Sequence, residues 1–261
     1  MIHVSNSEFT KSGYRSAKKM ADTGNLINKP LEPNSPSQVP SGIKQLIEWI
    51  ETSGPFRLTH FEWHKNGNLQ LAYLEYLDGN LTLNGFAVNE YLLLEFNEKG
   101  KINLASCHRI KRCSNQFTRN LDEFQFRLSA HPLQDAQEII NHYKQLRKTL
   151  YAQLEQLALV AVTGPMLLSV VQQLIGDDTN ARSTRKKNVQ FILMQSIGKE
   201  MNAMGRNLFG LFNGVTHYST HQLKNSVKSL GNALGKPFEL NSKAFDLCLE
   251  FATKTPTTIL N

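Results

Sequence analysis

An α+β fold is expected for this 261-residue chain: an antiparallel sheet of about five strands, covered by a C-terminal set of helices. Three observations predict it. Between Phe56 and Phe117, β-branched, aromatic and leucine residues come in short runs separated by Asn66-Gly67, Asp78-Gly79 and Lys99-Gly100. After Pro132 the apolar spacing changes to a helical period and stays helical. Strand signals come first and helix signals follow, with no alternation of the two, which argues against a parallel βαβ sheet.

Taken in order, residues 1–40 read as a flexible arm, because Pro30, Pro33, Pro36 and Pro40 interrupt helix and strand alike. Residues 41–261 read as one α+β domain, with a sheet part over 41–130 and a helical part over 131–261. Ile43, Leu46, Ile47 and Ile50 stand at i, i+3, i+4 and i+7, the stripe of a short helix capped by Ser41 and ended at Gly54-Pro55. Asn-Gly and Asp-Gly accept the positive φ of two-residue turns, so 56–64 should pair with 69–77, followed by strands near 81–84, 90–96 and 101–112. Ala136, Ile139, Ile140, Tyr143, Leu146, Leu150, Leu154 and Leu157 trace one stripe of a long helix. Thr163 caps a second helix with Pro165 in its first turn and Gly176 at its end. Helices near 184–203, 206–223 and 242–253 complete the chain. Gly210 and Gly214 lie inside the penultimate one, where each glycine costs about 1 kcal/mol relative to alanine, so close helix packing is expected there.

Lysine and arginine number 29 against 22 aspartates and glutamates, a net charge of +7 that favours a polyanionic partner. Two basic groups stand out. Arg182, Arg185, Lys186 and Lys187 sit at the start of a predicted helix, where backbone N–H groups add donors for an anion. Arg109, Lys111 and Arg112 run along a predicted strand and continue to Arg119 and Arg127, with Phe117, Phe124 and Phe126 interleaved. Basic groups beside aromatic platforms are the combination that binds single-stranded nucleic acid, although a phenylalanine at strand spacing is buried more often than displayed.

His217 and His221 stand four apart on one helix face, as zinc ligands do, but the adjacent glutamate of the H-E-x-x-H arrangement is Tyr218. They are the metal candidates, and a third ligand has to come from elsewhere. No G-x-S-x-G elbow, phosphate-binding loop or dinucleotide fingerprint occurs, so no catalytic residue and no cofactor is expected. Cys107, Cys113 and Cys248 do not make a disulfide framework and read as reduced thiols, and the longest apolar stretch, Leu157 to Val162, falls short of the ~20 residues of a membrane helix. A cytoplasmic location without membrane association is expected.

Phe212-Asn213-Gly214-Val215-Thr216-His217-Tyr218, with His221 after it, resembles the asparagine-aliphatic-threonine-glutamate-tyrosine stretch and trailing histidine of domain-of-unknown-function family nine hundred thirty-two, which is borne by phages and plasmids. Tyr91-Leu92-Leu93-Leu94, the strand ending in Cys113-Ser114-Asn115, and Gly235-Lys236-Pro237-Phe238 through Ala244-Phe245-Asp246-Leu247 are similar to that family's central strands and last helix. The resemblance covers about residues 41–253. His217 stands where the family usually has glutamate and Thr220 where it usually has aspartate, so no role of those acids carries over. The resemblance implies a gene of phage, plasmid or integrated-element origin.

Together these readings point to a non-enzymatic nucleic-acid-binding protein, acting on single-stranded DNA and able to form a homo-oligomer. The alternatives are a factor that binds a host defence or replication protein, and a metal-dependent enzyme using His217 and His221.

Overall fold

The computed structural model describes residues 41–64, 69–78, 81–83, 85–97, 101–111, 115–127, 129–175, 184–223 and 229–254. The proline-rich stretch and the three glycine turns of the strand region lie outside these residues, apart from Asp78. Helix α1 (Ser41–Ser53) leads into strands β1 (Phe56–His64), β2 (Leu69–Tyr76), β3 (Leu81–Leu83), β4 (Phe86–Asn97), β5 (Lys101–Ile110) and β6 (Gln116–Arg127). Helices α2 (Pro132–Leu159), α3 (Gly164–Ile175), α4 (Thr184–Met204) and α5 (Leu208–His217) follow. A π-helical turn (Tyr218–Gln222), a 3-10 turn (Leu230–Asn232) and helix α6 (Gly235–Lys254) end the described chain.

The sheet is an antiparallel meander in the order β1-β2-β4-β5-β6, with β3 paired to the first residues of β4. It has six strands, one more than the turn signals suggest. The additional strand is β6: the reversal before it carries no Asn-Gly or Asp-Gly, yet the Ile110 amide donates to the Asn115 carbonyl at 3.0 Å. The helical elements follow their periodicity closely. The residues of the α2 stripe are buried apart from the partly covered Leu146, and the Met166 amide donates to Thr163 Oγ1 at 3.4 Å as the capping reading requires. Helix α6 begins seven residues before the expected start at Ser242, because Pro237 lies in its first turn, where a missing N–H costs nothing.

One face of the sheet packs Leu58, Phe61, Trp63, Leu92, Leu94 and Ile102 against α1 and the first half of α2. Around the end of β5 and the start of β6, Ile110 and Phe117 join the core formed by the rest of α2 and by α3–α6. The opposite face is buried as well, through Leu71, Tyr73, Leu93 and Cys107 with Ala233 of the 3-10 turn region. This second buried face is written in the runs Leu69–Leu74 and Tyr91–Leu94, which are nearly continuous in apolar residues rather than alternating.

Candidate functional sites

The structure separates the basic residues of the β5–β6 group. Arg109 pairs with Gln116 across the ladder, while Arg119 pairs with Ser106, three residues away from Arg109 and therefore on the other face. Arg119 donates to Asp246 Oδ1 at 2.7 Å and lies over the Phe245 ring at 5.0 Å, so its charge is already matched by α6. Arg109 is half-buried and Lys111 is exposed, and neither has a carboxylate partner among the described residues. Arg112 lies outside the described residues. Phe117 and Phe126 are core residues, 2% and 8% exposed, and do not offer stacking surfaces; the side chain of Phe124 is outside the described residues.

Of the second basic group, Arg182 and the side chains of Arg185 and Lys186 lie outside the described residues. Lys187 is exposed in the first turn of α4. It begins a row at four-residue spacing, Lys187, Phe191, Gln195 and Lys199, every member of which is exposed. Residues four apart share a helix face, so the row is one surface strip about 18 Å long. Phe191 is 62% exposed, and neither lysine has an ion pair among the described residues. Periodicity had placed α4 but not its outward face, since an apolar residue on a helix reads by default as buried.

The glycines of α5 do serve close packing. A Cβ at Gly214 would stand 2.3 Å from Ile197 Cα, and one at Gly210 would stand 2.1 Å from the Gly205 carbonyl oxygen. Helix α5 therefore lies with its backbone against α4. Glu200 and His217 are each one turn beyond this crossing, and side chains on a helix lean towards its N-terminus, so both lean back to the crossing point. His217 Nδ1 is 3.1 Å from Glu200 Oε1. The contact is not aligned as a hydrogen bond: Nδ1 and the second carboxylate oxygen, Oε2, are buried atoms without a hydrogen-bond partner. The helix then widens into the π-helical turn, closed by the Leu223 amide on the Tyr218 carbonyl at 3.0 Å, and the His221 ring comes to 4.8 Å from that of His217. The start of β6 meets α5 and the π-helical turn here, as Asn115 Nδ2 donates to the Asn213 carbonyl at 3.3 Å and the Gln116 amide to Thr220 Oγ1 at 3.3 Å.

Two buried polar clusters in the sheet escape the sequence reading. On β1, His60, Glu62 and His64 share one face, with His60 Nε2 3.1 Å from Glu62 Oε1 and His64 Nε2 2.9 Å from Oε2. Tyr73 donates to the same Oε2 at 3.4 Å. Burial by itself would raise the Glu62 carboxyl; the hydrogen bonds and charges of the two histidines reverse this and bring it down to about 2. The H-x-E-x-H spacing on a strand was the available signal.

The other cluster lies between the sheet and α2. Glu90 Oε1 accepts from Tyr143 Oη at 2.6 Å and from Arg147 Nε at 2.8 Å, and His108 Nε2 lies 2.7 Å from Ser106 Oγ. Burial pushes the His108 imidazole down to about 4, so the ring is neutral at pH 7. A serine beside a neutral histidine has the parts of a nucleophile, but both residues are 0% exposed, and His108 is stacked on Phe117 at 4.8 Å. The arrangement satisfies core polar groups and admits no substrate.

Among the described residues, no group of three or more His, Cys, Asp or Glu side chains is placed to hold a metal ion, so His217 and His221 gain no third ligand there, and no helix is long and apolar enough to cross a membrane. No family model, curated protein or solved structure matches the chain.

Proposed function

We propose that this protein binds single-stranded nucleic acid without catalysing a reaction, along the outward strip of α4. The observation that carries the reading is the exposed Phe191 standing between Lys187 and Lys199 on one helix face. Cationic side chains track the phosphates and an exposed ring accepts a base by stacking, which tolerates any sequence. The excess of 29 basic over 22 acidic residues supports the same reading, as does the resemblance to a phage- and plasmid-borne family. In this reading Arg109 and Lys111 at the end of β5 are a second phosphate contact, whereas Arg119 belongs to the α6 interface. The protein acts in the cytoplasm of a bacterial host that carries the element.

Fluorescence anisotropy with a labelled single-stranded oligonucleotide tests the proposal. Binding at about 50 mM salt that weakens by orders of magnitude towards about 200 mM is expected for a site making several phosphate contacts. No binding at the lower salt overturns it. A stoichiometric protein partner retained from nuclease-treated lysate would then assign the same face to protein recognition.

A further inference from the structure

We infer that Gln195 reads the edge of the base that stacks on Phe191, and that adenine is the base it favours. The inference rests on the single-strand reading of α4 and adds a choice among bases, which stacking alone does not make.

The order of groups along the strip is the main observation. Phe191, Gln195 and Lys199 follow one another at successive turns of α4, about 6 Å apart, and all three are exposed. An apolar ring, a neutral carboxamide and an ammonium answer in turn to the three parts of one nucleotide, the base face, the base edge and the phosphate. Side chains on a helix lean towards its N-terminus, so Gln195 leans over the turn that carries Phe191, and Lys199 leans towards Gln195. Asn188, the other exposed carboxamide beside the ring, leans away from it. The Gln195 carboxamide has no hydrogen-bond partner among the described residues, so its donor and its acceptor are both open to a ligand. The strip also carries nothing to repel a phosphate. Glu200 is the one acidic residue of Thr184–Met204, and it is 2% exposed and meets His217 on the inner side of the helix.

A carboxamide presents one donor and one acceptor side by side. Adenine matches that pair on two edges, through N1 and the 6-amino group or through N7 and the same amino group. Guanine shows two acceptors on its N7 edge, and neither pyrimidine offers a second donor and acceptor pair, so each of these bases is matched on its Watson–Crick edge alone. A base stacked on an open ring can lie in more than one orientation, and adenine keeps its partner in more of them. Both adenine contacts pass through the 6-amino group.

The experiment uses the full chain in anisotropy titrations at about 50 mM salt with two labelled single strands. One repeats thymine-thymine-adenine. The other carries unsubstituted purine at every adenine, which keeps the stacking ring with its N1 and N7 but lacks the 6-amino group. The unaltered protein is expected to bind the adenine strand at least about fivefold more tightly. Gln195→Met, which keeps the length and the helix propensity of an exposed side chain, should bind the two strands equally. Equal affinity of the unaltered protein for the two strands, or a preference that survives in Gln195→Met, overturns the inference and leaves single-strand binding in place. Absence of binding to either strand removes the single-strand reading itself, and this inference with it.

Discussion

The glycine crossing makes opposite predictions for the same substitution at two neighbouring places. Alanine at Gly198, a helical position with nothing within 4 Å of the added methyl, should gain the ordinary difference in helix propensity, about 1 kcal/mol. Alanine at Gly214 gains the same propensity but brings its Cβ to 2.3 Å from the Cα of Ile197, a backbone atom that no rotamer change can remove. Ordinary contact begins near 3.4 Å, so the helices must separate by about 1 Å along a well-packed interface. Overpacking costs about 1–3 kcal/mol and at times more, and a clash of this depth against backbone stands at the upper end, about 3 kcal/mol, so a net loss of about 2 kcal/mol is expected after the propensity gain. For a domain of this size one kcal/mol moves the melting temperature by about 2–4 °C, which places Gly198→Ala about 2–4 °C above and Gly214→Ala about 4–8 °C below the unaltered protein. Thermal and urea melts measure both. A Gly214→Ala variant as stable as Gly198→Ala would refute the account of why this helix contains glycine.

The proposed interface predicts that Phe191→Ala weakens single-strand affinity by about 1–3 kcal/mol while leaving the salt dependence unchanged, since stacking releases no counterion. Lys187→Gln should instead lower the slope of log K against log salt by about 0.7; anisotropy titrations at four ionic strengths separate the two. Acid should destabilise the fold in two stages. Burial holds the His108 pKa at about 4, against an ordinary value of 6.5, so between those values only the unfolded chain gains this proton. Stability therefore falls as pH drops from 6.5 to 4, by about 3 kcal/mol, and His108→Gln should flatten the urea midpoint over that window. The Glu62 carboxyl, at about 2 in the fold against 4.5, contributes stability that is present above pH 4.5 and lost as pH falls towards 2. Its worth is also about 3 kcal/mol, and Glu62→Gln should show that loss already at pH 7 in a chemical melt.

Local chemistry wrote most of the architecture openly, and long-range contact wrote the rest. The α2 stripe and the Thr163 cap follow from spacing within one segment, so they could be read directly. Strand β6 was hidden because its turn uses no glycine signal; its phenylalanines read as core more often than display, and Phe117 does pack on Phe212. The Glu90–Tyr143–Arg147 cluster joins residues more than 50 apart in sequence, and only the packing of α2 on the sheet brings them together. Arg119 shows the same limit from the other side. Its partner, Asp246, is 127 residues away, and a count of charges along the strand cannot reveal that it is neutralised.

These observations converge on α4, whose two faces have unlike duties. Its inner face is fixed by contact of Ile197 with the Gly214 backbone and carries the buried Glu200 towards His217. Its outer face presents Lys187, Phe191, Gln195 and Lys199 to solvent, with nothing in the described structure to bury the aromatic ring. An exposed phenylalanine on a loosely attached helix would be free to collapse onto the nearest apolar surface. On a helix pinned by a backbone-to-backbone crossing, that route is blocked and the ring stays available. The glycines thus account at once for how closely two helices pack and for why the neighbouring face can remain prepared for a partner.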